Sequence, residues 1–230
     1  SDMLALGERE LRCPVEIEFA VNMDVPYGED KVFDMLQIRP IVDSLSNRSL
    51  DWDQVDTSGA LIYAESALGL GAIEGVTDVV YIRPDRFDTA HTQQMADEVN
   101  RLNTELRDQK RSYVLVGPGR WGSSDPWLGV PVKWPHISEA KVIVECGLDN
   151  FRVEPSQGTH FFQNLTSFGV GYLTINPFQG DGRFDIAQLD AQPALYESAH
   201  VRHVRFPEPL YIFVDGRKNR AIIRAEKSGA

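Results

Sequence analysis

The chain has 230 residues and a formal net charge of −11, and 42% of its residues are hydrophobic. This length suffices for one large domain or two small ones with a sizeable buried core. The acidic balance argues against a general nucleic-acid-binding protein, whose surface is basic. No apolar run approaches the ~20 residues that a membrane-spanning helix needs.

The two cysteines, Cys13 and Cys146, are far apart and belong to no Cys-x-x-Cys motif. A disulfide framework or a zinc site is therefore not expected. We expect two buried thiols in a cytoplasmic protein whose acidic surface keeps it in solution.

The first predicted element is a β-hairpin. Residues 15–21 alternate apolar and polar side chains, which is the period of a half-buried strand. In this pattern the four apolar residues share one face: Val15, Ile17, Phe19 and Val21. A polar loop over residues 22–31 leads to a second strand over residues 32–39, and Pro40 is expected to end its pairing.

Polar side chains line one face of this hairpin. Glu16 and Glu18 share a face of the first strand, and Gln37 and Arg39 share a face of the second. If the strands pair, the carboxylate and amide oxygens suit Mg²⁺, and the guanidinium suits phosphate. The spacing alone leaves open an exposed hairpin face with no ligand.

The amino-acid sequence of the hairpin also resembles that of a known family. Val-Glu-Ile-Glu-Phe at 15–19 and Met-Leu-Gln-Ile-Arg-Pro at 35–40 resemble the end of the ATP-grasp nucleotide-binding domain of phosphoenolpyruvate synthases and pyruvate phosphate dikinases. The resemblance implies ATP and Mg²⁺ as cofactors, with Glu18 and Gln37 as metal ligands and Arg39 beside them in the nucleotide site.

The same resemblance implies that most of the ATP-grasp domain is missing from this chain. We expect the N-terminal part of the same protein to be its partner, and the isolated chain to be inactive. The parent would resemble a pyruvate, water dikinase. Residues 1–42 would then be the end of the nucleotide-binding domain, and the polar residues 43–58 a linker.

A second domain is predicted over residues 59–230. After short strands over 60–64 and 76–82, a helix over 89–109 presents apolar residues at helical spacing. Those residues are Met95, Val99, Leu102 and Leu106. The Gly-rich residues 66–75 between the two strands read as a loop.

Further strands follow, and one long stretch shows no period. Strands are predicted over residues 113–116, 140–146 and 170–175, and the strand over 140–146 is expected to be central in its sheet. A short helix is predicted over residues 159–168. Residues 210–214 and 220–224 flank a hairpin turn, whereas 177–209 show no clear period. The fold class is therefore α/β (α+β), with mixed β-sheet layers and few helices.

Residues 158–170, Gly-Thr-His-Phe-Phe-Gln-Asn-Leu-Thr-Ser-Phe-Gly-Val, are similar to the histidine motif of the swivelling β/β/α domain in the same enzymes. His160 lies nine residues before Gly169, as that motif requires. The resemblance implies that His160 is the catalytic phosphate carrier. Two phenylalanines follow it where the motif has small residues, and Thr166 replaces an arginine. A working carrier, a remnant that has lost the role and an unrelated core histidine all remain open.

The loop over residues 117–135 is rich in Gly, Pro and Trp. It matches the letters of G-x-G-x-x-G, but its prolines exclude the helix that a dinucleotide fold needs there. Arg120, Ser123 and Ser124 are candidates for binding a small phosphorylated ligand together with backbone amides. A rigid surface loop anchored by its tryptophans is the alternative.

Residues 200–205 alternate, with His200 and Arg202 on one face of a strand and His203 and Arg205 on the other. This alternation excludes a metal site made by the two histidines, and we expect a solvated strand edge.

These observations leave two functions. One is part of a phosphoenolpyruvate synthase-like phosphotransferase, in which ATP phosphorylates His160 and the phosphohistidine phosphorylates pyruvate. The other is a non-catalytic binding or regulatory module that keeps the swivelling fold, with the loop over 117–135 as its recognition surface. Homo-oligomers are compatible with either, because an orphaned hairpin has edges that can pair.

Overall fold

The computed structural model describes residues 2–11, 15–22, 24–26, 28, 30–40, 50–125, 127–149, 152–154, 165 and 169–225. The chain divides into two compact units, residues 1–46 and residues 47–230. The cysteine at position 13 and all of the predicted helix over 159–168 except residue 165 lie outside the described residues.

The first unit is a helix packed on a two-stranded antiparallel sheet. Its elements are α1 (Asp2–Leu11), β1 (Val15–Val21) and β2 (Phe33–Pro40). Gly7 lets the helix approach the sheet, because a Cβ on it would lie 2.5 Å from Cδ1 of Ile38 and 2.9 Å from Cγ2 of Val15. The pairing ends at Pro40, which lies opposite Val15, so the strand extends one residue further than the sequence predicts.

The second unit holds the remaining elements. In chain order they are β3 (Ile62–Ala64), β4 (Ser66–Leu68), β5 (Leu70–Ile73), β6 (Asp78–Ile82), α2 (Thr92–Asp108), β7 (Tyr113–Pro118), β8 (Arg120–Trp121), β9 (Gly129–Val130), β10 (Ala140–Cys146), β11 (Gly171–Ile175), β12 (Arg183–Phe184), α3 (Ile186–Asp190), β13 (Ala194–Glu197), β14 (Val201–Arg205), β15 (Leu210–Asp215) and β16 (Arg220–Ala225).

Two sheets dominate this unit. The larger has the strand order β13-β14-β6-β7-β10-β11-β4, and the smaller has the order β12-β3-β16-β15-β5. Within the larger sheet β6, β7, β10 and β11 are mutually parallel, and antiparallel strands flank them on both sides. The four parallel strands therefore end at one edge of the sheet.

Three layers enclose two hydrophobic cores. Val79, Val144 and Leu173 of the large sheet pack against Ile212 and Ile223 of the small sheet. On the opposite face of the large sheet, α2 buries the four apolar residues that helical spacing singled out. The predicted amphipathic helix is thereby confirmed, as is a mixed α and β fold with more strand than helix.

The structure differs from the sequence predictions at two places, and it adds elements in a stretch without clear periodicity, because tertiary contacts overrode weak local signals. Residues 66–73, read as a loop, form β4 and β5, each at an edge of its sheet. Residues 177–209, which show no period, contain β12, α3, β13 and β14. Within the predicted linker, residues 50–58 belong to the second unit, where Trp52 is buried against Phe213.

The predicted buried thiol is confirmed for Cys146, which is free and 1% exposed. Burial raises the pKa of the Cys146 thiol to about 12, so the group remains protonated and unreactive at neutral pH. Among the described helices none is long and apolar enough to cross a membrane.

Candidate functional site

The two strands of the first unit pair, and their polar residues lie opposite one another. Glu16 lies opposite Arg39, and Glu18 lies opposite Gln37, so all four positions share one face of the hairpin. The side chains of Glu18 and Gln37 are exposed. Two exposed oxygen ligands on paired strands fit part of the coordination shell of Mg²⁺, which usually keeps waters and phosphate oxygens as well.

An irregularity between Glu18 and Phe19 changes the far end of the same face. The pairing slips there by one residue, so Phe19 lies opposite Met35 and Val21 lies opposite Phe33. The rings of Phe19 and Phe33 stack with centroids 4.8 Å apart. Leu36 has no partner in β1 and is the extra residue, so Met35 and Phe33 lie on the face of Phe19 and not on that of Gln37.

No metal centre is complete in the described part of the chain. It contains no group of three or more His, Cys, Asp or Glu side chains placed to hold a metal ion. Glu18 and Gln37 would by themselves be two ligands of a Mg²⁺ ion, and the remaining donors would have to come from outside the described residues.

The loop that follows β7 is held by buried contacts. Trp121 donates its backbone N–H to Oε1 of Glu145 at 3.0 Å and its indole N–H to the carbonyl of Val144 at 3.0 Å. Its ring covers Gly117, where a Cβ would lie 2.3 Å from Cζ2. Glycine is required at position 117 because the indole takes the space of a side chain.

The three polar candidates of this loop do not form one site. Ser123 accepts a hydrogen bond from the backbone N–H of Asp125 and donates to its carbonyl, so its hydroxyl stabilises the loop itself. Ser124 is exposed. The backbone N–H of Arg120 donates to the carbonyl of Leu128 at 2.7 Å, and the side chain of Arg120 makes no hydrogen bond or ion pair with any residue that the structure describes. None of the three lines the cavity of the second unit that is described below.

His160, the predicted carrier, lies outside the described residues, as do the phenylalanines at 161 and 162 and the threonine at 166. Its place in the order of elements is nevertheless defined, because it falls between β10 and β11.

The second unit has a cavity of about 960 Å³ at the edge of the large sheet. The loops that follow all four parallel strands contribute to it: residues between 83 and 89 after β6, Trp127 after β7, Leu148 and Asp149 after β10, and Pro177 and Phe178 after β11. Open sheets with parallel strands commonly bind ligands at this edge.

An ion-pair network closes one wall of the cavity. Oδ1 of Asp190 accepts hydrogen bonds from Tyr81 at 2.8 Å and from Nη1 of Arg202 at 2.9 Å. Arg83 lies between Asp190 at 4.0 Å and Glu197 at 3.3 Å. Burial, together with the hydrogen bond to Asp190, raises the pKa of Tyr81, so its hydroxyl remains a donor at neutral pH.

The prediction of a solvated strand edge over residues 200–205 was wrong. β14 lies inside the sheet between β13 and β6, and Arg202 and His203 are 9% and 6% exposed. His200, just before the strand, is partly exposed, and its ring stacks on His91 with centroids 5.0 Å apart.

A buried carboxylate explains why this strand carries so many charged residues. Asp78 is fully buried at the start of β6, and its oxygens are 2.8 Å from Nε2 of His203 and 2.8 Å from Nε of Arg205. Arg111 and Thr77 donate to its other oxygen at 2.8 and 2.9 Å. Burial alone would raise the pKa of Asp78, but these donors outweigh it and hold the pKa well below its usual range.

Sequence reasoning missed the cavity. Its lining comes from five segments that are distant in the chain, and of its residues only Trp127 belongs to a motif that the sequence singles out. A usable signal existed, because Asp149 and Phe178 each follow a predicted apolar strand by three residues, where parallel strands present ligand-binding side chains.

Comparisons with protein-family models, with curated proteins and with solved structures found no match for this chain. The function is therefore argued from the residues and their geometry.

Proposed function

We propose that this chain is part of a phosphoenolpyruvate synthase-like phosphotransferase acting in the cytoplasm. Its hairpin contributes one wall of an ATP and Mg²⁺ site, with Glu18 and Gln37 as metal ligands and Arg39 beside the phosphates. His160 accepts the phosphoryl group from ATP and passes it to pyruvate.

The observation that carries this proposal is the register of the hairpin. Glu18 faces Gln37 across the strands, and Glu16 faces Arg39. A carboxylate, an amide oxygen and a guanidinium on one face are the groups that bind Mg²⁺ and phosphate. The missing donors must come from the rest of the nucleotide-binding domain, so the isolated chain is expected to be inactive.

Phosphorylation of the full-length protein tests the proposal. With ATP labelled at the β and γ phosphates, we expect a label that is labile in acid and stable in base, as phosphohistidine is. His160→Ala should abolish it, and Glu18→Gln should slow its formation at least tenfold because a metal ligand is lost.

The matched control is Asp30→Asn, which removes an exposed carboxylate from the loop of the same hairpin, outside both strands. It should leave labelling unchanged. Labelling that survives His160→Ala would refute the carrier role, and equal effects of the two hairpin variants would refute the metal site.

The second candidate is a non-catalytic binding module. It is favoured by the cavity at the carboxyl ends of the parallel strands, because this site is formed by the second unit alone. Absence of label from the folded wild-type protein, together with ligand binding in the cavity, would decide for this function.

A further inference from the structure

The charges around the cavity exclude most anions as its ligand. Carboxylates of Asp85, Asp88, Asp149 and Asp190 line it, whereas Arg83 is the one cation among the described lining residues. That guanidinium is already engaged by Asp85 at 3.4 Å and by Glu197 at 3.3 Å. A phosphate or carboxylate ligand would therefore meet an excess of negative charge with no free cation to neutralise it.

Two of these carboxylates have oxygens available for a ligand. Asp149 is exposed and makes no hydrogen bond or ion pair with any residue in the described ranges. The side chain of Asp190 makes its contacts with Tyr81, Arg83 and Arg202 through Oδ1. Its Oδ2 accepts no hydrogen bond from the described residues, so the ion-pair network orients this carboxylate and leaves one oxygen free.

Aromatic rings supply the other half of the site. Trp127 is 74% exposed and Phe178 is 58% exposed, although both line the cavity. The backbone N–H of Trp127 donates to Oδ1 of Asp125 at 3.0 Å, which fixes the turn that presents the indole. Exposed aromatic faces attract cations and gain free energy when an apolar group covers them.

From this combination we propose that the cavity binds a small organic cation, an amine that carries an apolar or aromatic part. The ammonium group is held by Asp149 and by the free oxygen of Asp190. The apolar part covers Trp127 and Phe178. This site is independent of the ATP chemistry proposed above, since it uses none of the hairpin residues or His160.

A series of three probes that differ in charge tests the proposal on the full chain. Phenethylamine is cationic at neutral pH, 2-phenylethanol is neutral and 3-phenylpropionate is anionic, and all three carry the same ring. Titration calorimetry at low ionic strength should give the tightest binding for the amine, with the alcohol about tenfold weaker, as expected for loss of one charge-assisted hydrogen bond. The anion should be the weakest.

Substitutions then separate the two halves of the site. Asp149→Asn should weaken the amine about tenfold and change the alcohol less than twofold. Trp127→Ala should weaken both probes. Asp53→Asn, which removes an exposed carboxylate that does not line the cavity, is the control and should change neither.

Equal affinities across the three probes would overturn the proposal, and so would amine binding that is unaffected by Asp149→Asn. Tighter binding of the anion would assign the cavity to an acidic ligand instead. The phosphorylation assay does not measure ligand binding in the cavity. A negative result for amine binding can therefore be distinguished from a negative result for the phosphotransferase function.

Discussion

Asp78 shows how one side chain can join distant parts of the second unit. Its carboxylate binds His203 and Arg205 of β14 and Arg111 beyond the end of α2. The carboxylate is fully buried, whereas the two guanidinium groups are about one-third exposed. The desolvation cost therefore falls mainly on the anion. Removal of its charge would leave the two guanidinium groups beside a neutral group.

We predict that Asp78→Asn lowers the free energy of unfolding by about 3 kcal/mol at pH 7. The pKa of Asp78 is lower in the folded than in the unfolded protein, so its contribution is complete above about pH 5 and decreases as the pH falls below the unfolded value of about 4. Urea unfolding at pH 7 and at pH 3 measures the difference between variant and wild type.

The difference should shrink at the lower pH, where the wild-type unfolded state binds the proton. Glu208→Gln, at an exposed position, is the control and should shift neither value by more than about 0.5 kcal/mol. A difference that is the same at both pH values would contradict the assigned role of the carboxylate.

At the scale of elements, Trp52 decides where the segment over residues 50–58 belongs. Its indole N–H donates to Oδ2 of Asp215 at 3.1 Å, and its ring lies 6.2 Å from that of Phe213 and 6.4 Å from that of Tyr63. A segment that is polar in sequence is thus fixed to the outer face of the small sheet by one large aromatic side chain.

We predict that Trp52→Ala destabilises the second unit by about 3–5 kcal/mol, because it leaves a cavity and an unpaired carboxylate. Trp52→Phe keeps most of the buried area and should cost about 1–2 kcal/mol through the lost hydrogen bond. Chemical denaturation measures both.

Trp127→Ala is the matched control, because the same residue type is removed from a position that is 74% exposed. Its effect on unfolding should stay within about 0.5 kcal/mol. Equal destabilisation by the two alanine variants would show that residues 50–58 are not anchored through Trp52.

At the scale of the whole molecule, the second unit has a complete set of hydrophobic cores. Every member of its three buried clusters comes from residues 50–225. The two sheets and α2 provide the layers that a stable domain needs, and 184 residues, from 47 to 230, exceed the size at which a single core is marginal.

We therefore predict that residues 47–230, expressed alone, fold cooperatively. Thermal unfolding should show one transition, and near-ultraviolet circular dichroism should show the signal of fixed aromatic side chains. The fragment should also bind phenethylamine with the affinity of the full chain. A fragment without a cooperative transition would contradict the independence of this unit.

Local periodicity alone predicted the elements whose side chains show a clear alternation or helical spacing. β1, β10 and β11, the face of α2 and the hairpin of β15 and β16 could all be predicted, because alternation and helical spacing depend on neighbours within one or two turns. The same locality explains why the two strands of the first hairpin could be predicted, whereas the pairing of Glu18 with Gln37 is given by the structure.

Only the tertiary structure decided the features that depend on distant partners. A single slip between Glu18 and Phe19 placed Phe33 opposite Val21 and its ring against that of Phe19, and the placement of β14 between two strands buried His203 beside Asp78. The cavity arises because β6, β7, β10 and β11 are parallel neighbours and their loops converge, which brings Asp149 near Trp127 and Phe178. Strand order and register are set by the free energy of burying whole faces, and no local pattern encodes that sum.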